Sequence, residues 1–297
     1  MTENWFALVK QFNFGVGTAM KFISRLLVLL FIGCNIASAG NSVTVPVLVY
    51  HVLNPTIPGS MTITPDRFES QIRWLKDNGY TVIPLKKLVS YLQGENVSLP
   101  AKPVVITADD GWESDYTYMY PIVRKYNVPV TLFIYPGAIS EGKHALTWDQ
   151  LKELMRSGLF DIQAHTLTHP NFKQEKKHLS QAAYEKLVHR ELFESREILE
   201  DKLGIKVDLL AWPFGIYDSY LEQQAVRAGY TMAFSIDFRN AARIYRSTAQ
   251  PRYMIVDSQT MGMFSSIVKG RSQGSIDKRA LGPLTYSCSE ISKGHPA

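Results

Sequence analysis

From Val43 to about Val256, short apolar runs alternate with stretches whose apolar residues recur every three to four positions. The first pattern fits strands and the second amphipathic helices. Strands are expected at Val45–Tyr50, Val104–Ala108, Val130–Ile134, Phe160–Ala164, Leu209–Trp212 and Met232–Ser235, all rich in β-branched or aromatic residues. Between them, Thr64 and Pro65 open a helix that gathers Phe68, Ile72 and Leu75 on one face and stops at Asn78 and Gly79. Thr147 to Gln150 has the spacing of a capping box ahead of Leu151 and Leu154, with Gly158 as the stop. Longer helices are expected from about Ser180 to Leu203, ended by Gly204, and from about Ser219 to Ala228, ended by Gly229. No Gly/Ser linker or charge block interrupts the alternation, which implies one α/β domain built on a parallel sheet or barrel.

The two ends read differently. Lys21 and Arg25 precede an apolar run from Leu26 to Ile32 and the small residues Ala37, Ser38 and Ala39, the layout of a secretory signal whose translation would start at Met20. The run is much shorter than the roughly 18 apolar residues that span a bilayer, although a retained N-terminal anchor is the alternative reading. Phe31 to Cys34 also has the outline of a lipidation site. The organisation expected is therefore a signal peptide with upstream extension over residues 1–39, a domain over 40–268 and a flexible tail over 269–297, where Gly, Ser, Lys and Arg replace large apolar residues.

Composition narrows the function. Cys34 and Cys288 are the two cysteines, so an exported form has no internal disulfide framework and relies on its core. Residues 1–39 hold three of the 32 Lys and Arg and one of the 27 Asp and Glu, so the formal charge of +5 becomes +3 without them. With no basic patch interleaved with aromatics, a nucleic-acid partner is not expected.

Candidate chemistry falls at strand ends. His51 follows the first expected strand, Asp109 and Asp110 the second, Tyr135 the third, His165 the fourth, Pro213 and Phe214 the fifth. In a parallel α/β fold these C-terminal ends share one face, where substrate sites are built. Asp109 and Asp110 run into Gly111; being adjacent in an extended segment they should point opposite ways, one toward a metal and one toward a water or substrate. A simple Asp-Gly turn is the plainer reading. His165 and His169, four residues apart, suit a single metal ion, and Pro170 disfavours a continuing helix there. His51, following a buried-looking strand, reads from the residues alone as a satisfied core histidine. No GxSxG elbow, catalytic cysteine setting or phosphate loop competes, which leaves metal-assisted hydrolysis as the most economical reaction class.

The segments TADDGW (Thr107 to Trp112), HTLTHPNF (His165 to Phe172) and WPFG (Trp212 to Gly215), in this order, resemble the polysaccharide deacetylase family with its NodB-homology domain, over about Val45 to Val256. The resemblance implies a distorted (β/α) barrel in which Asp110, His165 and His169 hold a divalent metal, usually Zn2+ with Co2+ or Ni2+ as substitutes. It implies Asp109 as catalytic base and the Phe214 N–H as an oxyanion donor. Ala211 stands where many members have an arginine that orients the base, Ala108 where Phe is usual, and the C-terminal histidine motif is missing. Tyr50 and His51 are similar to the arrangement in biofilm poly-β-1,6-N-acetylglucosamine deacetylases, whose barrel is circularly permuted; by that likeness His51 becomes the catalytic acid. Pro213, Trp212 and Tyr135 are expected to line the substrate, with Trp112 and Trp148 as further flat surfaces for sugar rings. The implied protein is a monomeric, exported hydrolase of an N-acetylated polysaccharide, poly-β-1,6-N-acetylglucosamine of an extracellular or biofilm matrix in the first instance, in the periplasm, cell envelope or outside the cell, with membrane association through the N-terminal segment left open. Peptidoglycan, chitin-like oligomers, or binding without turnover are the alternatives.

Overall fold

The computed structural model describes residues 43–56, 59–142 and 144–270. The leader, the tail beyond Gly270 and both cysteines lie outside the described residues.

Eight strands form one sheet in which all strand pairings are parallel. They are β1 (Val47–Tyr50), β4 (Thr81–Val82), β5 (Pro103–Asp110), β6 (Val130–Ile134), β7 (Phe160–Ala164), β8 (Leu209–Ala211), β9 (Met232–Phe234) and β10 (Tyr253–Met254). The order is β10-β1-β5-β6-β7-β8-β9, with β4 pairing the start of β5, while β2 (Val52–Leu53) and β3 (Thr62–Ile63) make a separate small pair. The sheet curls until its edges meet: Phe234 at the end of β9 bridges Gln250, three residues before β10, and Gln250 N–H donates to the Ala233 carbonyl at 2.9 Å. The result is the expected distorted barrel flanked by helices.

The six expected strands all exist, β6 and β7 with the expected bounds and the other four shifted by one or two residues at an end. The helices form for the anticipated reasons. In α1 (Pro65–Asp77) the Thr64 side chain accepts from Arg67 N–H, and Phe68, Ile72 and Leu75 are buried. After α2 (Leu85–Leu92) and α3 (Tyr120–Tyr126), α4 (Trp148–Arg156) opens with a complete capping box between Thr147 and Gln150. The helix expected over 180–203 is α6 (Gln181–His189) and α7 (Ser195–Leu203), joined by a π-helical turn at Arg190–Glu194 and preceded by the short α5 (Phe172–His178). The last helices are α8 (Ser219–Arg227) and α9 (Met261–Val268).

Strand alternation separates two cores. Leu48, Val104, Ile106, Leu132, Ile134, Ile162, Leu210 and Ala233 face the helices. Val47, Val105, Phe133, Leu209, Ala211 and Phe234 fill the barrel, stoppered by Leu85, Leu88 and Val89 of α2. Continuing the inward set upward by twos leads to His51, Asp109, Tyr135, His165 and Pro213. The candidate site is thus the top layer of the barrel interior.

Candidate active site

Asp109 lies inside this layer, 2% exposed, and Arg252 grips it at both oxygens (Nη1 to Oδ1 2.8 Å, Nη2 to Oδ2 2.7 Å). Arg252 is itself fully buried, donates to Thr107 Oγ1 and the Ser235 carbonyl, and lies over the Phe133 ring. Burial alone would push the Asp109 carboxyl up. The Arg252 charge, the charge of His165, the Arg252 hydrogen bonds and the charge of His51 together outweigh it and hold the carboxyl down at about 2. Asp109 is therefore a carboxylate throughout the neutral range.

Asp110 does not point away from Asp109 as strand alternation would have it. Its φ of 78° is left-handed, and this turns its carboxylate toward the same histidines: Asp110 Oδ1 is 3.5 Å and Asp109 Oδ2 3.8 Å from His165 Nε2. Gly111 follows at φ 79°, a backbone that side chains rarely adopt, and a Cβ there would have to displace the ends of Ile134 and Ile139 (2.9 Å from Ile134 Cδ1), so the turn beneath the two aspartates favours glycine. Trp112 Nε1 donates to Asp110 Oδ2 at 3.1 Å, whereas the buried Oδ1 has no hydrogen-bond partner.

His165 extends the β6–β7 ladder, its N–H donating to the Ile134 carbonyl at 2.8 Å, and its Nδ1 lies 2.8 Å from the Ala211 carbonyl. That contact fixes the ring with Nε2 toward Asp110. His169 Nε2 is 3.6 Å from Asp110 Oδ1, and its ring packs between those of Tyr135 and Phe214 at centroid distances of 5.4 and 4.6 Å. Burial first of all pushes the His169 imidazole down to about 4, against the pull of Asp110, so the ring is neutral at pH 7 with a lone pair to offer.

One ligand atom each from Asp110, His165 and His169 lies within 4.8 Å of the others. Donors about 2.0–2.2 Å from a tetrahedral zinc ion stand roughly 3.3 Å apart, close to the observed Asp–His spacings. The orphaned Asp110 Oδ1 and a neutral imidazole are what such an ion requires, so these residues fit a divalent metal.

His51 joins the group from the end of β1, 7% exposed and with an unpartnered Nδ1. Burial lowers its imidazole; the charges of Asp110 and Asp109 oppose that. Tyr135 is half-buried at the mouth, and Phe214 sits at φ 56° in the short turn that Pro213 begins. Trp212 is not at the mouth, which corrects the expectation of a sugar-facing ring. It shares the outward parity of Leu210, is 1% exposed, and donates its indole N–H to the Thr248 carbonyl at 2.9 Å. Trp112 and Trp148 are half-buried. Two residues were not anticipated. Arg252, just before the strand β10 that closes the barrel, supplies the guanidinium that Ala211 lacks, and the buried Glu191 lies behind the histidine loop. A third carboxyl, Asp115, is fully buried and pushed well above its ordinary value by burial and by the charges of Asp110 and Asp109.

A parallel barrel with an Asp-His-His cluster and an arginine-held aspartate at its C-terminal mouth is the layout of a hydrolase. The polysaccharide deacetylase family matches residues 96–233, and the chain carries a polysaccharide deacetylase domain of the NodB type. The poly-beta-1,6-N-acetyl-D-glucosamine N-deacetylase of Staphylococcus aureus is 27% identical over 200 residues, 66% of this chain and 68% of that protein. The Streptococcus pyogenes deacetylase PplD, solved with acetate, superposes with a TM-score of 0.68 at 26% identity, covering 76% of this chain and 99% of that one. IcaB from Ammonifex degensii shares the fold with a TM-score of 0.65 at 23% identity, covering 76% and 96%. These likenesses support polysaccharide deacetylase function, which implies an acetylated polysaccharide as substrate.

Proposed function

We propose that this chain is a metal-dependent N-deacetylase of poly-β-1,6-N-acetylglucosamine in an extracellular or biofilm matrix. The observation that carries the metal dependence is the convergence of Asp110, His165 and His169 within 4.8 Å around an unpartnered carboxylate oxygen. The polymer is favoured by the S. aureus relative's named substrate and by Tyr50-His51 at the end of β1. We assign the catalytic unit to residues 40–268 and its location to the cell envelope or beyond, from the signal-like residues 20–39.

A divalent ion held by Asp110, His165 and His169, zinc in the first instance, would polarise the acetamide carbonyl and acidify the attacking water. Asp109, oriented by Arg252, accepts the water proton. The Phe214 N–H donates to the developing oxyanion, a contribution of roughly 3 kcal/mol for one such donor. His51 delivers a proton to the departing amine, so that one amide and one water give acetate and one glucosamine unit. Tyr135 and Phe214 form the walls that hold the sugar and exclude water.

The test is acetate release from the β-1,6 polymer, a chitin oligomer and peptidoglycan, using chelated, zinc-restored and His165→Ala protein. Activity lost on chelation, regained with zinc and absent in His165→Ala is expected, with the β-1,6 polymer turned over fastest. Turnover that persists after both chelation and substitution would rule out the metal, and a faster peptidoglycan or chitin reaction would reassign the polymer.

A further inference from the structure

Between His165 and His169 the chain forms no helix, and Thr166 and His169 both take positive φ, 66° and 58°. A β-branched residue rarely adopts this backbone, and it persists only where surrounding contacts over-determine it. Here those contacts converge on one fully buried side chain. Glu191 Oε2 accepts the N–H groups of Leu167 at 2.9 Å and Thr168 at 2.7 Å, and Oε1 accepts the Thr168 hydroxyl at 2.7 Å. The Arg190 guanidinium donates to the same Oε1 at 3.1 Å.

The rest of the loop is tied down as well. Ser195 Oγ donates to the Thr166 carbonyl at 2.8 Å, Gly137 N–H to the Leu167 carbonyl at 2.9 Å, and His169 N–H to Thr166 Oγ1 at 3.2 Å. Glu191 and the fully buried Ser195 come from the π-helical turn Arg190–Glu194 and the first residue of α7. Such turns add a residue to the helix and are frequent near functional sites. Three donors arriving from one loop need a group that only accepts, which among neutral and charged side chains of this length a carboxylate supplies.

We infer that Glu191 is the positioning residue of the metal site. It holds the 165–169 loop in the left-handed course that aims both imidazoles beside Asp110. This deepens the metal-binding reading of Asp110, His165 and His169 and rests on it. A residue with this task sets metal affinity, and groups standing behind metal ligands commonly tune it by about 10–100-fold.

The test uses the full chain. Zinc affinity measured by competition with a chromophoric chelator should fall about 10–100-fold in Glu191→Ala, with Glu191→Gln, which keeps one oxygen for the two N–H groups, in between. In metal-free protein, hydrogen exchange at the Leu167 and Thr168 amides should accelerate at least about tenfold while β6 keeps its protection. A Glu191→Ala protein with the wild-type circular dichroism spectrum, zinc affinity within about threefold of wild type and both amides still protected overturns the inference. So does a lowered melting temperature with unchanged zinc affinity, the behaviour of a merely structural buried acid. If Glu191→Ala fails to fold, Thr168→Val and Ser195→Ala, each removing one tie of the loop, carry the same comparison, with a several-fold loss of affinity expected and none refuting it. Wild-type protein that binds no zinc would refute the metal-binding reading itself, and the metal-free exchange rates would still decide whether Glu191 holds the loop.

Discussion

At the scale of residues, the two adjacent aspartates are separated by their partners. Asp109 faces a buried guanidinium and Asp110 faces the imidazoles of His165 and His169, so one is fixed as a proton acceptor and the other left with a free oxygen. Removing the guanidinium leaves burial as the dominant influence on Asp109, and its carboxyl must rise. The acidic limb of kcat/KM should therefore move up by about 1–3 pH units in Arg252→Met, and by less in Arg252→Lys, which keeps the charge but not the fork. A pH–rate profile of the two variants against wild type checks this. The same shift has a stability consequence with a definite sign. Because the folded carboxyl lies at about 2 against an ordinary 3.8, its contribution is complete above the ordinary value and is lost as pH falls toward 2. Thermal melts between pH 5 and pH 2 should show this acid-side loss in wild type and a weaker one in Arg252→Met. Nothing near QPRYM marks an arginine as buried; only closure of the sheet brings Arg252 to Asp109. Glu191 did leave a signal. Tyr184, Val188, Glu191, Ser195 and Leu199 fall at spacings of three and four, so a Glu and a Ser lie on the buried stripe of a helix.

Among the elements, the short turns after the strands are as decisive as the strands. Pro136–Ala138 follows β6, and its Gly137 approaches the histidine loop so closely that a Cβ would lie 2.7 Å from the Leu167 carbonyl oxygen. Since that neighbour is backbone and cannot rotate away, Gly137→Ala should push the loop outward. We expect a loss of about 1–3 kcal/mol in stability and at least a tenfold drop in kcat/KM, read by thermal melting and by acetate release. Periodicity marks the six main strands and the helices that begin near Thr64, Thr147, Ser180 and Ser219, and residue type marks their caps, whereas β2, β3, β4, β10, α2, α3, α5 and α9 are too short to leave such a pattern. Boundaries were less so, because Asp109 and Asp110 continue the β5 ladder into residues whose chemistry reads as loop. Its neighbours in WPFG suggest a place at the mouth for Trp212, but its register with Leu210 puts it among the helices.

For the molecule as a whole, closure is what assembles the site. β1 lies between β5 and β10, so the His51 end of the chain and the Arg252 end are brought beside Asp109 from opposite ends of the domain. The described residues contain the barrel, its stopper helix α2 and every candidate site group. A protein limited to residues 44–270 should then fold with a melting temperature within about 3 °C of the full chain and keep its kcat/KM, which calorimetry and acetate release would establish.

By itself the sequence determined the alternation of strand and helix, the single domain, and the residue types at the strand ends, because periodicity and turn chemistry are local properties. It also supplied the likeness that pointed to a deacetylase. Only the tertiary structure decided which way those residues face. Asp110 turns by a left-handed φ that no pattern of apolar positions encodes, Arg252 and Glu191 reach their partners across 143 and 23 or 24 residues of chain, and Trp212 is withdrawn into the helix layer. Side-chain direction and long-range partnership follow from register and closure of the sheet, and these exist only once the whole chain has folded.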